Sequence, residues 1–233
     1  MTMQSAASVT DDAIANRPMG AIRSFFRRMR GTTHSIHQSE RKDVAMNAQT
    51  EIKAADNGVN VEALLGAREA ITGMPAAGQF KWRTRCDWID GVHTQSTVDG
   101  FFGLGAEQER NARFEITTDH PEQFAAKNQG ATPIEIVLSA LGACLTGGVA
   151  SVAQHRGIQL RKVTAFVEGD MDLAGVLGID ADVRNGFSGI RVRFEIDADA
   201  TPEEIAAVVA QSQKRSAVFD IIANPGNVSV TVA

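Results

Sequence analysis

From Ile136 to Gln154 the chain carries no charged residue. A stretch of this kind must be withdrawn from water, and it is nearly long enough to cross a bilayer, whose hydrocarbon core is about 30 Å thick. It contains Gly142, Gly147, Gly148, Ser139, Thr146 and Ser151. It also lacks the aromatic anchors that flank a spanning helix. The expectation is therefore a fully buried helix of a soluble, cytoplasmic protein, with no membrane span.

The start of this helix is written in Thr132-Pro133-Ile134-Glu135. Thr at the N-cap and Glu three residues later satisfy free amides reciprocally, and Pro suits the first helical position. Thr201-Pro202-Glu203-Glu204 repeats the signal. The first helix is predicted to run to His155, where Arg156-Gly157 stops it, and the second to about Arg215.

Strands are expected at residues 79–86 and 91–98 around an Asp90-Gly91 turn, and at 112–118, 160–168 and 228–232. The clearest alternation is Ile190, Val192, Phe194 and Ile196 against Arg191, Arg193, Glu195 and Asp197. It predicts a strand with one buried face and one wet face. Antiparallel strands with two main helices define an α+β fold.

This body spans residues 79–233. Ahead of it, residues 46–78 form a lead-in whose helix is capped by Asn60 and carries Val61, Leu64, Leu65 and Ile71. Residues 1–45 hold seven Lys/Arg against four Asp/Glu, a net +3, which leaves −8 for the rest of a chain whose total is −5. They read as a disordered basic extension. The acidic balance of the body argues against a nucleic-acid partner.

Two cysteines, Cys86 and Cys144, exclude a disulfide-stapled fold and a thiolate-rich metal site. No metal or other cofactor is implied. Cys144 lies eleven residues past Pro133, about 16 Å along a helix, so the helix start cannot activate it. A reactive thiol there needs a side-chain cation or hydrogen-bond donor. Ala140, Cys144 and Gly148 share one line of the helix and Ala143, Gly147 and Ser151 the next. Either close helix packing or clearance around the sulfur explains these small residues.

The run Gly130-Ala131-Thr132-Pro133-Ile134-Glu135-Ile136-Val137-Leu138-Ser139-Ala140-Leu141-Gly142-Ala143-Cys144 resembles the central-helix signature of the OsmC/Ohr family. Arg156-Gly157-Ile158, Val167-Glu168-Gly169 and Lys214-Arg215-Ser216-Ala217-Val218 extend the resemblance over residues 80–233. It implies an intertwined homodimer with active sites at the subunit interface. It also implies reduction of hydroperoxides by a peroxidatic cysteine, with an external dithiol as reductant. Cys144 matches that cysteine. The family's second cysteine falls at Ser216, its Glu after the Pro falls at Ile134, and Asp90-Gly91-Val92-His93 stands where its Gly-Gly-Arg turn would be.

The candidate catalytic set is therefore Cys144, with Ser216 as hydrogen-bond donor, Arg215 or Lys214 as positive charge, and Glu135 as the nearest carboxylate. Glu135 is also the capping residue. Two readings stay open. One is a peroxidase working through a single cysteine and an outside thiol. The other is a non-catalytic dimer that binds a small apolar ligand or serves a structural role.

Other motifs carry no site. Gly100-Phe101-Phe102-Gly103-Leu104-Gly105 reads as a loop anchored by two Phe rings, since no Lys-Ser/Thr follows. Asp170-Met171-Asp172 opens like a calcium loop, but Ala181 stands at position twelve, so the stretch reads as a polar connection. His93, His120 and His155 have no metal-ligand spacing and read as solvated or capping residues.

Overall fold

A computed structural model describes residues 54–232. The expectations for residues 1–45, and for the start of the lead-in, lie outside the described residues. The described chain divides into two compact units, one of residues 63–83 and 100–110, the other of residues 54–62, 84–99 and 111–232.

The first unit contains most of α1 (Val61–Gly73), the helix expected in the lead-in, and a 3₁₀ turn at Pro75–Gly78. β1 (Lys81–Trp82) pairs antiparallel with β3 (His93–Gly103), Trp82 opposite Phe101. β3 also pairs with β4 (Ala106–Thr118). The expected loop at Gly100–Gly105 is instead the end of β3 and a tight turn. Leu104 (φ 54°) and Gly105 (φ 76°) both sit left-handed, the backbone that a two-residue hairpin turn demands. The Trp82 and Phe101 rings lie 4.6 Å apart.

In the second unit β2 (Arg85–Asp90) pairs with β3, Cys86 opposite Ser96. The single strand expected over residues 79–86 is thus two strands, parted at Arg83-Thr84. α2 (Pro133–His155) begins at a complete capping box: the Thr132 hydroxyl accepts from the Glu135 N–H at 3.3 Å, and the Glu135 carboxylate accepts from the Thr132 N–H at 2.7 Å. It ends where the Ile158 N–H reaches back to the Ala153 carbonyl at 2.9 Å, with Gly157 left-handed between them.

β5 (Leu160–Asp170) and β6 (Gly189–Ala198) form an antiparallel pair in the register Val163↔Ile196, Ala165↔Phe194. The predicted alternation on β6 holds, with Ile190, Val192, Phe194 and Ile196 half-buried and the intervening residues exposed. Arg161, Arg191 and Arg193 make ion pairs on the wet face, each worth at most about 1 kcal/mol when exposed. A short helix α3 (Leu173–Val176) lies in the β5–β6 connection. The second capped helix, α4 (Pro202–Arg215), is followed by α5 (Ala217–Ala223).

α2 packs on β5, α4 and α5. Its buried residues Leu141, Leu145, Val149 and Ala153 build the core with Ile158 and Val208. α2 is long and apolar enough to span a bilayer by length and composition alone. The helix expected to be fully buried is only partly so: Leu141, Leu145, Val149 and Ala153 are buried, whereas Ile134 and Val137 are 40% and 42% exposed. Of the line Ala140–Cys144–Gly148, Gly148 faces α4 and Cys144 faces Ser216 at its end, while Ala140 is exposed. A Cβ on Gly148 would lie 2.2 Å from the Ser212 hydroxyl oxygen, and that hydroxyl donates to the Leu145 carbonyl at 2.7 Å. The small residues therefore serve close helix packing at Gly148.

Residues 55–58 are tied to the far end of α2. The Gln154 amide donates to the Ala55 carbonyl at 2.7 Å, the Asn57 amide donates to the Ile158 carbonyl at 2.8 Å, and the Leu160 N–H donates to Asn57 Oδ1 at 2.9 Å. The strand expected at residues 228–232 does not form. Strands exist by pairing, and among the described residues nothing pairs with this segment, which leaves Val228 and Val230 each 89% exposed.

Candidate functional site

Cys144 projects from α2 one turn before Gly148, and Ser216 follows Ser212 by one turn at the end of α4. The contacts Gly148–Ser212 and Cys144–Ser216 step in opposite directions along the chain, so α2 and α4 run antiparallel here. The Ser216 hydroxyl donates to Cys144 Sγ at 3.1 Å. The same oxygen accepts the Phe219 N–H at 3.1 Å, as the N-cap of α5.

Ser216 is buried and Cys144 half-buried. Burial alone pushes the thiol pKa up, and this is the largest single influence. The Ser216 hydroxyl and the backbone N–H groups of Val218 and Ala217 pull the other way, and together they hold it below the usual cysteine value. These donors favour the thiolate because they bind the charged form. Lys, Arg and His are not among the groups acting on Cys144 within the described residues.

Of the candidate set, then, the fold joins Cys144 and Ser216. Arg215 is exposed in the last turn of α4, and Lys214 beside it is exposed too. Glu135 is at the opposite end of α2 from His155, nine residues and about 13 Å before Cys144 along the helix. Its carboxyl is held below the usual range by the Thr132 N–H and hydroxyl. It is occupied at the cap. Ile134 beside it is 40% exposed.

The backbone donors Ala217 and Val218 carry no mark of their own in the sequence. A Ser placed between a helix end and an apolar run was the available signal for a further N-cap. Cys86 is exposed on β2, where the Ser96 and Thr94 side chains lower its pKa. His93 departs from the solvated role expected of it. Its Nδ1 lies 3.5 Å from Asp90, and its Nε2 is buried without a partner among the described residues. No group of three or more His, Cys, Asp or Glu able to hold a metal occurs among the described residues.

A groove of about 550 Å³ lies beside this site. Val137, Leu141 and Leu145 of α2, Phe194 of β6 and Phe219 of α5 line it. Phe219 is the residue whose N–H caps onto Ser216, so the groove and the thiol share an element.

The chain is thus an α+β body with a half-buried cysteine on its longest described helix, hydrogen-bonded to Ser216 at the end of the second capped helix. The sequence places it further: residues 126–231 match the family described as OsmC-like protein. Among solved structures, an OsmC-like protein from Mycoplasma pneumoniae aligns with 18% identity over 62% of this chain and 89% of its own, at a TM-score of 0.49. An organic hydroperoxide resistance protein OsmC from Legionella pneumophila aligns with 16% identity over 62% and 90%, at a TM-score of 0.44. One from Elizabethkingia anophelis, an organic hydroperoxide resistance protein, aligns with 14% identity over 62% and 89%, at 0.43. No curated protein sequence matches the chain.

Proposed function

We propose that the protein is a cytoplasmic, thiol-dependent peroxidase that reduces organic hydroperoxides through Cys144 alone. The observation that carries this reading is the Ser216 hydroxyl, which donates to Cys144 Sγ at 3.1 Å; it holds the thiol below its usual pKa together with the backbone of Ala217 and Val218. Thiolate attack on the terminal peroxide oxygen breaks the O–O bond, leaving a cysteine sulfenic acid and an alkoxide that takes a proton to become the alcohol. One thiol from solution then displaces water to form a mixed disulfide, and a second thiol, or the other arm of a dithiol, releases Cys144. Ser216, standing where the family has its second cysteine, serves as donor in place of a resolving thiol.

The protein acts as a homodimer in this reading. In the second unit, Trp88 at 72% exposure, with Ile89, Phe114 and Ile116, puts large apolar groups in water, which supports an association surface there. Ligand binding without chemistry is the second reading, and the groove beside Phe219 favours it.

The test is a sulfenic-acid probe. After substoichiometric cumene hydroperoxide, a dimedone reagent labels Cys144, and Cys144→Ser abolishes dithiol-dependent peroxide consumption. Unchanged consumption by Cys144→Ser would refute the proposal.

A further inference from the structure

One cation at the groove has no assigned task. Arg184, in the β5–β6 connection, lines the groove; its side chain is exposed to water and has no hydrogen-bond or ion-pair partner among the described residues. The rest of the lining is predominantly apolar: Val137, Leu141 and Leu145 on one side, Phe194 and Phe219 on the other. A volume of about 550 Å³ is in the range of small-molecule sites, roughly 300–1,000 Å³.

The connection that carries Arg184 is built rather than loose. The Ile179 N–H donates to the Ala174 carbonyl at 2.8 Å, and the Ser188 N–H to the Asp170 carbonyl at 2.8 Å. Gly175 lets α3 approach residues 183–185 so closely that a Cβ would lie 2.3 Å from the Val183 carbonyl oxygen. The acidic neighbours are turned to other work or to water. Asp180 accepts from the Asp182 N–H at 2.9 Å, and neither carboxylate pairs with Arg184.

We infer that the groove binds a linear amphiphile with a carboxylate head, the tail lying along Leu141, Leu145 and Phe194 and the head on the Arg184 guanidinium. A bare hydrocarbon would gain nothing from the hydrated guanidinium at the groove's edge, whereas a carboxylate matches its planar fork. The inference rests on the ligand-binding reading above and needs no thiol chemistry.

The experiment is calorimetric titration of the full chain carrying Cys144→Ser, with octanoate and 1-octanol as probes. Octanoate is expected to bind about tenfold tighter than octanol, the worth of one charged hydrogen-bonded contact. Arg184→Gln should erase that advantage while leaving octanol affinity unchanged, and Arg184→Lys should keep part of it. Val137→Trp, at a half-exposed lining position, should block both probes without disturbing the fold.

Absence of octanoate binding overturns the proposal, as does octanoate affinity unchanged by Arg184→Gln or by Val137→Trp. Binding that appears only after deletion of residues 226–233 also overturns it, because the occupant is then the chain's own C-terminal segment. Because Cys144 is absent throughout, none of these failures touches the peroxidase reading, which the sulfenic-acid probe decides.

Discussion

Gly148→Ala adds one methyl group where α2 and α4 cross. The new carbon would lie 2.2 Å from Ser212 Oγ, far inside contact distance, and 3.1 Å from its Cβ, a few tenths of an ångström too close. Overpacking of this kind costs about 1–3 kcal/mol. Moving the hydroxyl also breaks its bond to the Leu145 carbonyl in a buried place, a further loss of about 1–3 kcal/mol. Against this, Ala is better than Gly inside a helix by about 1 kcal/mol. The net expectation is a loss of about 1–5 kcal/mol.

With a urea slope near 2 kcal/mol/M, the unfolding midpoint should fall by about 0.5–2.5 M. Gly147→Ala is the internal control, because a Cβ there meets nothing within 4 Å. It should keep the helix gain and raise the midpoint. Placing Gly148→Ala in a Ser212→Ala background should recover part of the loss, with a coupling of about 1 kcal/mol or more. If Gly148→Ala stabilises the protein as Gly147→Ala does, or if the coupling is zero, the close-approach argument is wrong.

Other expectations follow from the sulfur and from the lead-in. Ser216→Ala removes a donor and the cap of α5, so alkylation of Cys144 should need a higher pH, and stability should drop by about 0.5–2 kcal/mol in urea titrations. A thiol whose folded pKa is depressed adds stability above its unfolded value, near pH 8.5, and loses it as pH falls through the folded value. The wild-type midpoint should therefore rise with pH towards 9 more steeply than that of Ser216→Ala. Ser216→Cys puts a second sulfur within about 3 Å of Cys144 Sγ, so mild oxidation should join the two in one monomer and leave only Cys86 free, as read by mass spectrometry after alkylation; three free thiols would count against the geometry. Asn57→Ala severs the link to Ile158 and Leu160 and should cost about 1–3 kcal/mol, whereas deletion of residues 1–45 should leave the melting temperature unaltered.

Local signals in the sequence reached α2 and α4 almost to the residue, while α3 and α5 went unread. Thr132 with Glu135, Thr201 with Glu204, and Gly157 act within a few bonds of themselves, so their meaning survives any tertiary context. The alternation on β6 was legible for the same reason. What escaped depends on partners remote in sequence. Leu104 taking a left-handed turn, the pause at Arg83-Thr84, and the clamp of Asn57 on residues more than ninety positions away have no local signature. Val228, Val230 and Val232 show the opposite failure: the pattern is that of a strand, but pairing decides, and the described chain offers none. At the site, residue type singled out Cys144 and alignment with the family pattern singled out Ser216, while the backbone donors emerged only from how α5 begins.

The Ser216 hydroxyl has a single hydrogen, directed at the sulfur, and a single oxygen, held by the first turn of α5. Fraying of that seven-residue helix would let the oxygen swing away and carry the hydrogen with it. The fraction of molecules with an ionised sulfur is then set by a local melting equilibrium, so modest warming or a destabilising change anywhere in α5 would quench the thiol long before the fold as a whole gives way.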